Sequence, residues 1–282
     1  ALSVHADEIV SEGLWRRKLG ASRTAMLFER EGAQVELGPT LRKLVTAARF
    51  NPRLPYLSFL CINFDAPVVK EAASWFLDGV FLNYNSSYLE QMLEQLLDED
   101  DSPEVTRFLR AVDVRIDGFR VERAPEWRGQ RVFVRHEVGG KAYELRLSEE
   151  SAGTQKLMGL AAYLMTALER GGTVVVDELD AKLHPKLLRY VILLFKDPGV
   201  NKSGAQLIFS SQDVSTMRND VFRRDEIWFA ARGEGEASQL WSLADIHEAN
   251  GNLVSKNAAF DKQYLSGRYG ADPYLTRIEE WD

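Results

Sequence analysis

Thr173 to Asp180 reads TVVVDELD, and this stretch decides the fold. A continuous β-branched run is the pattern of a strand buried on both faces of a parallel sheet. The acids Asp177 and Glu178 then emerge at the carboxyl end of that strand, where open α/β sheets bind ligands. Asp177 would hold Mg²⁺, directly or through water, against nucleotide phosphates. Glu178 would orient or deprotonate an attacking water. A buried acid without a partner could do neither; it would cost several kcal/mol or stay protonated. The competing reading is a strand that ends at a solvated acidic turn.

Two flanking stretches bear on that choice. Upstream, Glu150 to Gln155 reads ESAGTQ, directly before apolar residues at Leu157, Leu160, Ala161, Leu164 and Leu168. That spacing predicts a helix with one buried stripe. Small and hydroxyl residues at its start (Ser151, Ala152, Gly153, Thr154) would leave backbone N–H groups facing an anion. The plainer reading is an N-cap, with Ser151 or Thr154 satisfying orphan donors. Downstream, Leu207 to Asp213 reads LIFSSQD, a second apolar run ending in polar residues.

In this order and spacing the three stretches resemble the signature helix, the Walker B strand and the switch loop of an ABC-type ATPase. DELDAKLHP (Asp177–Pro185), RRDEIWF (Arg223–Phe229) and YLSGRYGADP (Tyr264–Pro273), with SAGTQ, extend the resemblance. GLWRRKLGASRTAMLFEREG (Gly13–Gly32) adds a strand pair upstream. Together they resemble the AAA-family ATPases of the abortive-infection and restriction-linked group, whose ABC-type heads are related to SMC, RecF and OLD-nuclease ATPases. The resemblance implies a P-loop NTPase α/β fold: a mainly parallel core sheet flanked by helices, an antiparallel β subdomain and an inserted helical lobe. It implies ATP and Mg²⁺ as cofactors, with Asp177 on the metal and Glu178 as base. Ser151, Ala152, Gly153, Thr154 and Gln155 would face the nucleotide of a second head. In that group ATP closes two heads, hydrolysis reopens them, and the pair controls an effector nuclease or toxin in anti-phage defence.

Two departures stand out. No GxxxxGK[ST] phosphate-binding loop is present. Gly139-Gly140-Lys141 is followed by Ala142, where a hydroxyl is needed for Mg²⁺, and reads better as a hairpin turn. The chain starts at Ala1 without an initiator Met, so the loop is expected on an N-terminal segment outside this sequence. The complete protein is expected to hydrolyse ATP, the present chain alone to bind it weakly and be inactive. The sheet is then expected to show an exposed edge beside the Walker B strand. The second departure is Gln212, where the family usually has His against the γ-phosphate. Glutamine keeps a donor and an acceptor but carries no charge.

Composition narrows the classes. The 282 residues, 45% of them apolar, supply ample core for one large or two small domains. No run approaches the roughly 18 apolar residues of a spanning helix, and no signal peptide is visible. The lone cysteine, Cys61, excludes an internal disulfide and fits a reducing cytoplasm; it lies in an apolar stretch that predicts burial. The four histidines show no metal-ligand spacing, and His184 before Pro185 reads as a helix start or a nucleotide-site residue. The net charge of −7 does not indicate nucleic-acid binding, and the acidic run Asp98–Asp101 reads as a solvated loop.

The expected organisation has three parts. Residues 1–38 form antiparallel strands punctuated by Gly20, Gly32 and Gly38. Residues 39–111 form a helical lobe: one helix from Pro67 through Ala72, Phe76 and Val80, another over Leu89, Leu93 and Leu96–Leu97, a third over Val105, Phe108 and Leu109. Residues 112–282 form the α/β core, after antiparallel strands at 112–123, 131–138 and 141–147. Core strands are expected at 173–177, 206–211, 226–231 and 238–243, with a helix from Lys186 to Lys196. Trp228 is expected to pack beneath helices, and the aromatic tail around Arg268 to dock across the head. The alternatives are an SMC- or RecF-like DNA-repair ATPase, marked by a basic inner face, and a non-hydrolytic protein-binding scaffold. The retained Asp177–Glu178 pair argues against a scaffold.

Overall fold

The strand expected at 173–177 is there. In the computed structural model, which describes residues 1–6, 8–18, 20–46, 49–77, 79–83, 103–112, 116–123, 130–232, 237–248 and 251–271, it spans Thr173–Asp177. Val174 and Val176 are fully buried, and burial of each such side chain contributes about 1.5–3 kcal/mol. The chain divides into two compact units, Ala1–Gly79 and Val80–Asp282.

The first unit is built on an antiparallel sheet of β1 (Leu2–His5), β2 (Glu8–Arg16), β3 (Ala25–Glu31) and β4 (Gln34–Leu37), paired in that order. Helices α1 (Pro39–Arg42), α2 (Tyr56–Asn63) and α3 (Pro67–Leu77) follow. Leu27, Phe28, Leu41, Leu60 and Val69 form its core, with Cys61 partly buried against it. Arg30 is almost wholly buried here. It donates to Gly32 O at 2.7 Å, Leu54 O at 2.8 Å, Pro52 O and Glu12 Oε2. Glu12 in turn accepts the N–H groups of Tyr56 and Leu57 at the start of α2.

The second unit opens with β5 (Val80–Asn83) and α4 (Pro103–Ala111). An antiparallel sheet of β6 (Gly118–Arg123), β7 (Gln130–Val138) and β8 (Lys141–Arg146) follows, then α5 (Ala152–Arg170), β9 (Thr173–Asp177), α6 (Pro185–Lys196) and β10 (Gln206–Phe209). β11 (Trp228–Arg232), β12 (Ser238–Ser242) and α7 (Phe260–Leu265) complete it. Gly139 and Gly140 form the β7–β8 turn with φ of 58° and 76°, values that exclude most side chains. Helix α5 is buried on every face from Lys156 to Leu164, after a first turn that is not. Gly171 ends it at φ 83°, and a Cβ there would lie 2.4 Å from Ser203 O.

β9 is the middle of a three-stranded parallel sheet, ordered β10–β9–β5. Three expectations need correction. The parallel sheet is not the main sheet: the other described strands pair antiparallel. β11 and β12 pair with each other rather than extending the parallel core. Only 233–237 separates them, too short for the crossover that parallel neighbours require. Both edges of β9 are covered, because the helix from Pro67 stops at Leu77 and Val80–Asn83 forms β5 beside it. A short apolar run after Gly79 suits strand or helix, and pairing with β9 decides it.

Trp228 lies on β11 but is 57% exposed, so it is not packed beneath helices as expected; Trp15 and Trp75 are exposed as well. Phe229, its neighbour, takes the inward position against Trp241, Tyr264 and Tyr269. The expected helix over Leu89–Leu97, the acidic run Asp98–Asp101 and the end of the tail from Asp272 onward lie outside the described residues. No described helix is long and apolar enough to cross a membrane.

Candidate functional site

β9 and β10 run in parallel register to Val176 and Phe209, so the next residues of each leave the sheet side by side. Asp177 and Ser210 meet there. The Ser210 hydroxyl donates to Asp177 Oδ1 at 2.5 Å and accepts the Glu178 N–H at 2.8 Å. The Leu179 N–H donates to Ser210 O at 3.0 Å. One serine thus fixes the turn that carries both acids. Asp177 is exposed and Glu178 half-buried. Glu178 has a left-handed backbone, φ 51°, which costs a non-glycine residue about 1–2 kcal/mol. The chain turns sharply at that point, and Leu179 behind it is fully buried.

The start of α5 lies against the same turn. A Cβ on Gly153 would sit 3.1 Å from Lys182 O, so the two backbones approach closely. Ser151 is the N-cap: its hydroxyl accepts the Thr154 N–H at 3.1 Å and lies 2.9 Å from Thr154 Oγ1. The capping reading is therefore realised for Ser151, whereas the Thr154 hydroxyl pairs with the Ser151 hydroxyl rather than with a backbone N–H. The N–H groups of Ala152 and Gly153, in the first turn, fall outside the helix's own ladder. The Gln155 side chain folds back, donating to Glu150 O at 2.7 Å. Glu150 Oε1 lies 2.6 Å from His136 Nε2 on β7.

Gln212 is exposed beyond the end of β10, and its N–H donates to Asp180 Oδ2 at 3.3 Å. Asp180 therefore ties the turn after β9 to the loop after β10; its Oδ1 is buried without a partner among the described residues. His184 caps α6, its Nδ1 accepting the Lys186 N–H at 3.1 Å, which realises the helix-start reading.

Three contributors escaped the sequence reading: Ser210, Asp180 and Lys156. Lys156 is 3% exposed on α5 and donates to Glu178 O at 2.9 Å and Ala181 O at 2.5 Å. Burial pushes its pKa down to about 8; Asp180 and Glu178 pull it back up and Lys182 pushes it further down. Its signal was present, because Lys156 stands four and eight residues before the buried Leu160 and Leu164, on the helix's inner face.

The donor set suits a nucleotide-bound Mg²⁺. Among the described residues no three His, Cys, Asp or Glu side chains converge as a metal cage. Mg²⁺ does not need one, since it takes one or two carboxylates with substrate phosphates and waters. An exposed Asp177 with a hydroxyl alongside, next to Glu178, offers that arrangement.

No curated protein matches the chain in sequence. Among solved structures, one from work on ATP-driven dimerization and DNA-stimulated activation of SMC ATPases superposes with a TM-score of 0.37 at 15% identity, covering 55% of this chain and 84% of its own. The Smc head domain of Pyrococcus furiosus, with an extended coiled coil and bound to the C-terminal domain of ScpA, gives 0.32 at 17% identity; 50% of this chain is covered but only 34% of that one. The family model described as "AAA domain, putative AbiEii toxin, Type IV TA system" matches residues 48–218, which include α5, β9, α6, β10 and the turn bearing Asp177 and Glu178, and the chain belongs to that AAA family.

Proposed function

We propose that this AAA-family chain is part of an ATPase that hydrolyses Mg-ATP between two heads to control an effector. Asp177 holds the metal, Glu178 activates water and Gln212 contacts the γ-phosphate as a neutral hydrogen-bonding group. The first turn of α5, from Ser151 to Gln155, presents its amides to the nucleotide on the second head. The phosphate-cradling loop comes from a segment outside this sequence, which contains no GxxxxGK[ST]. The single observation that carries the reading is the pairing of Asp177 with Ser210 at the carboxyl end of the central strand, beside Glu178. The family description speaks of a toxin in a type IV toxin–antitoxin system. It supports an effector of toxin type; a nuclease effector, a role in phage defence and a cytoplasmic setting are proposed from the sequence resemblance alone.

The test uses the full-length protein. Glu178→Gln keeps shape and removes the base, so hydrolysis should fall by about 10² to 10⁴. ATP should still bind and close the heads, giving an ATP-dependent dimer by light scattering. Asp177→Asn should instead accumulate less dimer at a given Mg²⁺ concentration. Full hydrolysis by the Glu178→Gln protein overturns the assignment.

A further inference from the structure

The buried ammonium of Lys156 has no role in the chemistry above, yet it touches the turn that carries Glu178. It leaves α5 in the second helical turn, within one turn of Gly153 and five residues from the Ser151 cap. Its two carbonyl partners, Glu178 O and Ala181 O, bracket Leu179 and Asp180. An ammonium donating to both ends of a four-residue turn restrains its backbone, including the left-handed Glu178. Asp180 sits beside the ammonium and also accepts the Gln212 N–H. A buried lysine is costly, and two strong acceptors with a carboxylate nearby offset that cost only where the turn keeps this shape.

We infer that Lys156 is a positioning residue. It holds the Glu178–Ala181 turn in the shape required for hydrolysis and ties that shape to the start of α5. The inference rests on the assignment of Glu178 proposed above. It goes further in giving a mechanical link within one chain: displacement of the first turns of α5 by a ligand at Ser151–Gly153 pulls on Glu178 O through a side chain with little room to move. Methionine at 156 fills most of the slot and donates nothing. Arginine restores a charged donor with several N–H groups.

The experiment compares wild type, Lys156→Met, Lys156→Arg and Glu178→Gln in the full-length protein. Steady-state ATP hydrolysis is measured together with amide hydrogen exchange of the turn. In the Met variant kcat should fall about 10- to 10²-fold, the scale of a displaced catalytic group, with KM within about twofold of wild type. The Leu179 and Ala181 amides, now bonded to Ser210 O and Glu178 O, should exchange at least about tenfold faster, while the middle of α5 keeps its protection. The Arg variant should recover a substantial part of kcat. A folded Met variant with wild-type kcat, beside a Glu178→Gln protein that has lost activity, overturns the positioning role and leaves the Glu178 assignment intact. A Glu178→Gln protein at full rate overturns both. Should the Met variant fail to fold, an Arg variant with unchanged turn exchange and unchanged kcat supports the role, and one with protected turn amides but lost kcat overturns it.

Discussion

Ser210 donates its hydroxyl to Asp177 Oδ1 at 2.5 Å while accepting the Glu178 N–H, so one small side chain orients a carboxylate and the backbone of the next residue. Ser210→Ala removes both bonds. The Glu178 N–H then turns to water at this exposed position, a net loss of about 0.5–1.5 kcal/mol. Expressed in the barrier, 1.4 kcal/mol corresponds to about a tenfold slower turnover. The half-saturating Mg²⁺ concentration should rise as well, because Asp177 loses the donor that fixes its rotamer. Ser210→Thr keeps the hydroxyl and should stay near wild type. Initial rates across a Mg²⁺ titration check this; an Ala variant with an unshifted curve and full rate counts against it.

The Ser151 cap allows a test of the two-head model. Ser151→Arg places a bulky side chain at the start of α5, where the residue is exposed. Loss of the cap bond itself costs only about 0.5–2 kcal/mol, so the fold should survive. Hydrolysis should cease while each head still binds ATP. Mixing this variant with Glu178→Gln should regenerate one working site per mixed dimer, since each site borrows from both chains. Mixed dimers that form and remain inactive contradict a shared site.

Much of the second unit was legible because its signals are local. The β-branched run of β9, the Gly139-Gly140 turn and the Pro185 helix start each depend on a few adjacent residues. The sheet composition was not legible, because pairing is a long-range choice. Val80–Asn83 becomes a strand through its register with Val174–Asp177, far along the chain. Loop length did contain one unused clue: the five-residue gap between β11 and β12 permits only an antiparallel neighbour. At the site, Asp177 and Glu178 could be read from strand direction, whereas Ser210 acquires its role only through the β9–β10 register. Lys156 was obscured because a lysine within an apolar helix reads as exposed until its place on the inner face is counted.

Arg30 and Glu12 give a stability prediction within the first unit. Their side chains are 0% and 7% exposed, and Arg30 also stacks over Phe50 at 4.9 Å. Arg30→Met leaves the Glu12 carboxylate buried with fewer partners and strips the carbonyls of Gly32, Leu54 and Pro52 of their donor. Breaking a buried pair from one side costs about 3–5 kcal/mol. Unfolding of the first unit, followed by hydrogen exchange in urea, should shift to much lower denaturant. An unchanged first-unit midpoint contradicts a structural role for the pair.

The titration of Lys156 fixes the sign of a pH effect on stability. Burial holds its pKa at about 8 in the folded chain against the usual 10.5. Between those values the unfolded chain binds more protons at this position than the folded one does. Stability from this group therefore rises with pH across the window. Below pH 8 both states are protonated, and the folded state bears the full cost of the buried charge. Above 10.5 both are neutral and that cost is gone, while the amine still has two N–H groups for Glu178 O and Ala181 O. Lys156→Met has no such titration. The stability of wild type relative to Lys156→Met should thus climb from pH 7.5 toward pH 10, because background titrations common to both proteins cancel in the difference. Urea denaturation of the two proteins at several pH values measures it directly. A difference that stays flat, or that falls as pH rises, means that burial does not penalise the ammonium at this site and overturns the depressed pKa.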